Sequence, residues 1–166
     1  MATTILQTTL SVSINEQVSV NGKVYGNNIS RTFDGQGKVD QRVMEISSAS
    51  YTSIFDWKLA LPDEKGTGVK SEFTYFRITN TDDSIGVNVS YQLTTATDVF
   101  SVFLPAGCSH LLMSNDADAT ASSGVPVMQD IAGVLAKSEL NGGEASAVYI
   151  EYVAVFSGGV EPTPEP

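Results

Sequence analysis

Apolar and polar residues alternate along most of this 166-residue chain, and this alternation limits its fold more than any other feature. In segment 87–93 (VNVSYQL) every second residue is apolar and the residues between are polar. Successive side chains of a β-strand point to opposite faces, so this spacing predicts a strand with one buried and one exposed face. The same pattern over residues 145–156 predicts a long final strand.

The alternation also covers the N-terminal region. Between residues 6 and 24 the even positions are mostly apolar and the odd positions mostly polar, which predicts that Val18, Val20 and Val24 lie on a buried face. Within this stretch, Asn21-Gly22 is a pair of residues that tolerates the positive φ angles of tight turns. We therefore expect a turn or a bulge there.

Short clusters of turn-forming residues separate many of the predicted strands. Three of them are flanked by strand patterns on both sides, and we expect each to close a β-hairpin. In the third cluster Gly107 follows Pro105, which suits a type II turn with a positive φ angle. The clusters are residues 34–37 (DGQG), 80–84 (NTDDS) and 105–107 (PAG).

About eight to ten such strands, with no convincing long helix, predict an all-β fold, an antiparallel β-sandwich. The chain lacks the Cys-Trp-Cys arrangement of immunoglobulin domains, and its strand number favours the jelly-roll type. We expect one domain over residues 1–157 and a flexible tail over residues 158–166, where proline alternates with glutamate. No run of 18 apolar residues is present, and no secretory signal is visible, so we expect no membrane partner.

The charge is unevenly distributed. The chain has a formal net charge of −10, and residues 1–77 are neutral overall. The remaining residues, 78–166, carry a single basic side chain, Lys137, against eleven acidic ones. Phosphate groups would be repelled by such a surface, so we expect no nucleic-acid partner.

The residues that could perform nucleophilic catalysis are few. The single cysteine, Cys108, and the single histidine, His110, are two positions apart and therefore belong to the same face of a strand. No orienting acid or oxyanion signature accompanies them, so we interpret them as a pair at the rim of the sandwich, beside a turn. We expect that the protein is not an enzyme and that it binds no cofactor.

Metal-binding patterns are weak. Asp116 and Asp118 alternate in the segment NDAD and are the candidate calcium ligands. The segment lacks the glycine and the glutamate of an EF-hand loop, so a solvated acidic loop is the simpler interpretation. Two residues of Cys or His type are too few for a structural zinc site.

An aromatic row has two interpretations. Tyr51, Phe55 and Trp57 share odd parity with two leucines further along the chain, which favours the core of one sheet. The same three rings could instead form an exposed platform on which sugars stack. The sequence leaves both interpretations open, and the exposure of the rings separates them.

Three segments resemble a known kind of protein. The strands within residues 69–83 (VKSEFTYFRITNTDD), 97–114 (TDVFSVFLPAGCSHLLMS) and 130–159 (DIAGVLAKSELNGGEASAVYIEYVAVFSGG) are similar in texture and order to those of jelly-roll head decoration (cement) proteins of tailed bacteriophages. The resemblance covers roughly residues 5–157 and involves no invariant motif. It does not extend to the tail SGGVEPTPEP.

The resemblance implies a virion structural protein that is assembled in the host cytoplasm. Such a protein binds the major capsid protein on the outer surface of the head, commonly as a homotrimer, and stabilises the shell against the pressure of the packaged DNA. The family has no catalytic residues to transfer to this chain. The alternative is a carbohydrate-binding or receptor-binding β-sandwich, such as a phage fibre tip or an adhesin module.

Overall fold

The computed structural model describes residues 8–56, 73–93, 99–113, 131–140, 142 and 146–157. These residues form β-strands and no helix, so the described part of the chain holds no helix able to cross a bilayer. The strands are β1 (Thr8–Asn15), β2 (Val18–Val20), β3 (Lys23–Tyr25), β4 (Asn28–Ser47), β5 (Thr52–Asp56), β6 (Phe73–Asn80), β7 (Val87–Leu93), β8 (Val99–Leu104), β9 (Ser109–Met113), β10 (Ile131–Ser138) and β11 (Ala147–Ser157).

Nine of these strands form two antiparallel sheets. The five-stranded sheet has the order β1-β4-β11-β6-β9, and the four-stranded sheet has the order β5-β10-β7-β8. Their inner faces share one apolar core, so the predicted all-β sandwich is confirmed. From β4 to β11 the chain passes repeatedly between the sheets, and this strand order is compatible with a double-sheet jelly roll.

The core forms where the predicted alternation is cleanest. Alternate residues of β11 are at most 1% exposed, and so are Val87, Val89 and Tyr91 of β7, which confirms the predicted inner faces of both strands. Phe55 of β5 packs between the sheets, with its ring centroid 5.2 Å from that of Tyr152. The buried residues of β11 are Val148, Ile150, Tyr152, Ala154 and Phe156.

The predicted hairpins at residues 80–84 and 105–107 are wrong, because the chain changes sheets at both turns. β6 and β9 belong to the five-stranded sheet, whereas β7 and β8 belong to the four-stranded sheet. The buried side chain of Asn80 supports these corners: its Nδ2 donates to the carbonyl oxygens of Ile85 (2.8 Å) and Leu104 (3.2 Å). At the second corner Gly107 has the expected positive φ angle, +69°.

The side chain of Asp82 stabilises the loop after Asn80. Oδ1 of Asp82 accepts hydrogen bonds from the backbone N–H groups of Ser84 and Ile85, each at 2.8 Å. These bonds stabilise the carboxylate and hold the pKa of Asp82 below its ordinary value. The Asp82 carboxylate therefore stabilises the loop by local hydrogen bonds, and β6 and β7 do not pair with each other.

The third predicted hairpin is also wrong, because β4 continues through residues 34–37. Its second part pairs with β11, and its first part pairs with β1. Gln36 is the residue at which the partner changes, since it pairs with Thr8 of β1 and with Ser157 of β11. The strand β4 therefore changes its pairing partner, from β1 to β11, at the glycine-containing segment 34–37.

Candidate functional site

The N-terminal strands continue past the end of the β11 ladder as an arm, which we define as residues 8–36. The β11 ladder ends at Gln36, and the part of β4 before Gln36 pairs with β1. At the end of the arm, β2 and β3 form a separate two-stranded ribbon. The arm contains two acidic and two basic side chains, so its net charge is zero whereas the whole chain carries −10.

The ribbon at the tip of the arm exposes apolar side chains, and the predicted buried face is wrong here. Val18, Val20, Val24 and Tyr25 are each at least half exposed. The alternation persists, but no second layer covers the ribbon among the described residues. A lone two-stranded hairpin is marginally stable in water. The exposed apolar side chains of this tip form a surface that a neighbouring molecule can bury, and such burial would stabilise the ribbon.

Local sequence explains the shape of the tip. Asn21 and Gly22 have φ angles of 50° and 77°, which confirms the predicted turn and matches a type I′ hairpin. At the base, a Cβ on Gly26 would meet the carbonyl oxygen of Glu16 at 1.9 Å. Glycine is therefore required there for the two ends of the ribbon to approach each other.

A second apolar surface lies at the edge strand β8. This strand (VFSVFL) contains no charged residue, glycine or proline, and it pairs only with β7 among the described strands. Val99 is 55% and Phe103 is 50% exposed. An uncharged edge strand with free backbone groups favours association with another chain. Apolar residues at both parities of β8 are the sequence signal for this surface, and alternation alone does not reveal it.

The cysteine and histidine are not brought together as a catalytic pair. Cys108 is an exposed free thiol in the turn before β9. His110 faces inward instead, and its ring centroid lies 5.7 Å from that of Tyr91. Burial lowers the pKa of His110, and its Nε2 has no hydrogen-bond partner in the described part of the molecule.

The aromatic row is divided by the structure. Phe55 is 2% exposed and belongs to the core, whereas Tyr51 precedes β5 and is 48% exposed. Trp57 lies outside the described residues. A register shift in the pairing of β5 with β10 breaks the simple parity on which a single row depends. The two interpretations therefore apply to different residues, with Phe55 as core and Tyr51 as surface.

The calcium candidates Asp116 and Asp118 lie outside the described residues, as does the predicted tail, 158–166. Among the residues that are described, no three His, Cys, Asp or Glu side chains form a group that could hold a metal ion. The described residues offer the arm and the outer faces and edges of the sheets as surfaces for binding. No protein-family model matches the chain, and no curated protein is similar enough to it to serve as a relative.

Proposed function

We propose that the protein is a virion structural protein, a decoration protein that binds the major capsid protein on the outer surface of a phage head. The observation that carries this proposal is the arm, whose tip exposes Val18, Val20, Val24 and Tyr25. Burial of apolar surface is the main favourable contribution to most protein association. The tip supplies such surface on a ribbon that belongs to neither of the two packed sheets.

The charge distribution supports the same role. The arm is neutral, while residues 78–166 hold the excess of acidic side chains. A neutral arm can approach the capsid without a charge penalty, and an acidic body in solvent discourages nonspecific clustering of decorated particles. Because a capsid repeats its binding positions symmetrically, a modest contact at each arm becomes strong when an oligomer binds several positions together.

A binding experiment with undecorated heads tests the proposal. Mass spectrometry of purified virions first establishes whether the chain is a stoichiometric component, and heads stripped of the chain are then incubated with the purified protein. We expect the protein to sediment with the heads and to raise the temperature at which they rupture. Absence of the chain from purified particles, or failure to sediment with stripped heads, would contradict the proposal.

Variants assign the binding to the arm. The double variant Val20→Glu, Tyr25→Glu places two charges on the tip, and we expect it to remain folded and to lose sedimentation with the heads. The double variant Val39→Glu, Val43→Glu is the matched control, because Val39 is 59% and Val43 is 67% exposed on the sandwich. If the control abolishes binding and the tip variant does not, the arm is not the docking element.

The oligomeric state forms a separate part of the proposal. We propose a homotrimer, and sedimentation equilibrium should then give three times the chain mass of 17.6 kDa. A monomer at all concentrations would contradict the trimer and leave the docking test intact.

A further inference from the structure

A row of four side chains crosses the outer face of the four-stranded sheet. Lys137 of β10 is the register partner of Asn88 of β7, and Asn88 is the partner of Phe103 of β8. Tyr51 directly precedes Thr52, the partner of Ala136, so Tyr51 extends the row beyond Lys137. The ammonium nitrogen of Lys137 lies 6.0 Å from the centre of the Tyr51 ring.

The row has an aromatic residue at each end and polar residues between them. Tyr51 is 48% and Phe103 is 50% exposed. Three strand spacings separate the two ends, a distance of about 14 Å. The side chains that flank the polar members of the row along each strand, such as Val87, Val89 and Ala136, are fully buried, so the row itself faces outward.

The position of the Phe103 ring depends on a glycine. A Cβ on Gly86 would meet Cε2 and Cζ of Phe103 at 2.4 Å, so the ring occupies the space that a side chain at position 86 would need. The same Cβ would lie 2.9 Å from Oε2 of Glu139. Gly86 therefore lets the ring settle against the sheet while half of its surface stays exposed.

The polar groups between the rings can bind hydroxyl groups. An open depression beside the row is lined by residues that include Tyr51, Asn88, Lys137 and Glu139. Lys137 supplies N–H donors, Glu139 supplies acceptors, and the amide of Asn88 supplies both. Lys137 forms no ion pair within the described residues, and its ammonium group lies over the Tyr51 ring.

We propose that this row binds a short neutral oligosaccharide. The apolar faces of its pyranose rings would stack on Tyr51 and Phe103, and its hydroxyl groups would bond to Lys137, Asn88 and Glu139. The depression holds one cation and one anion, and a chain of net charge −10 repels polyanions, so charge favours a neutral ligand. A peptide that added to the sheet would run along the strands, whereas this row runs across them.

Titration of the ¹⁵N-labelled full chain tests the inference, which does not depend on the proposed role in the capsid. The probes are maltohexaose, cellohexaose and chitohexaose, each at millimolar concentration, with trigalacturonate as the acidic comparison. We expect at least one neutral probe to shift the backbone amide signals of Tyr51, Asn88, Phe103 and Lys137. No shift with any neutral probe, or tighter binding of trigalacturonate, would overturn the inference.

Substitutions test the two rings separately. We expect Tyr51→Ala and Phe103→Ala each to weaken binding about tenfold. Tyr149→Ala is the matched control, since Tyr149 is 55% exposed on the five-stranded sheet, and it should leave the affinity unchanged. The spectrum of each variant reports whether it is folded. Binding that survives the loss of both rings would show that the row is not the site.

Discussion

The hydroxyl group of Tyr152 donates a hydrogen bond of 3.1 Å to Oδ2 of Asp40, and both residues are buried. The other oxygen of this carboxylate accepts a bond of 2.8 Å from Nε of Arg42. A buried carboxylate needs hydrogen-bond donors to replace the water that it loses on folding. Tyr152 and Arg42 supply these donors and so stabilise Asp40 on the inner face of β4.

Removal of one donor should therefore destabilise the fold. We expect Tyr152→Phe to lower the free energy of unfolding by about 1.5–3 kcal/mol, because it removes a hydrogen bond to a charged group and leaves the ring in place. Urea denaturation measures this change. Tyr149→Phe is the control: its hydroxyl bonds to Glu45 at an exposed position, and the loss should stay within about 0.5 kcal/mol. Equal effects in the two variants would contradict the prediction.

Asn80 should be critical for the corners between the sheets. Asn80→Ala removes the donor for two carbonyl oxygens and the acceptor for the backbone N–H of Asp82. We expect unfolding to become easier by about 2–4 kcal/mol, as measured by urea denaturation. The control is Ser109→Ala, an exposed position whose hydroxyl bonds only to Thr79 among the described residues, with little expected effect. A small change for Asn80→Ala would show that the corners form without its side chain.

His110 should make stability depend on pH. Burial lowers its pKa in the folded protein, so the unfolded chain binds the proton more readily. The contribution of neutral His110 to folding stability is complete above its pKa in the unfolded chain, about 6.5. This contribution is lost as the pH falls from that value toward the lower pKa of His110 in the folded protein. We expect wild type to lose stability relative to His110→Leu between pH 7.5 and pH 5.5, values on either side of the unfolded pKa. Parallel unfolding curves for the two proteins over that interval would exclude the effect.

Strand β8 should promote aggregation. Val99→Lys introduces a charge at an exposed position of the uncharged edge, and we expect slower growth of light scattering when the protein is heated. Tyr149→Lys adds the same charge to β11, which has neighbours on both sides, and should have a smaller effect. If both variants slow aggregation equally, net charge rather than the edge is responsible.

Alternation predicted which residues of β7 and β11 face the core, because the side chains of a strand alternate wherever a second layer covers one face. It could not predict which sheet a strand enters. The segment after Asn80 has the composition of a hairpin loop, and the side-chain bonds from Asn80 to the carbonyl oxygens of Ile85 and Leu104 belong to contacts that no local pattern contains.

The surfaces were harder to predict than the core. Val18, Val20 and Val24 have the spacing of buried residues, yet they lie on a ribbon that extends beyond the second layer. The row from Tyr51 to Phe103 joins residues far apart in the sequence through the register of β5, β10, β7 and β8. No local pattern contains that register, so this row became visible only in the folded chain.

The 20-residue strand β4 has a mechanical consequence. A pull on the tip of the arm, directed along this strand, would strain the hydrogen bonds to β11 in shear, since those bonds lie across the direction of the force. The hydrogen bonds between β4 and β11 would have to break together rather than one after another. The continuity of β4 thus makes the arm a tether that resists tension along its length.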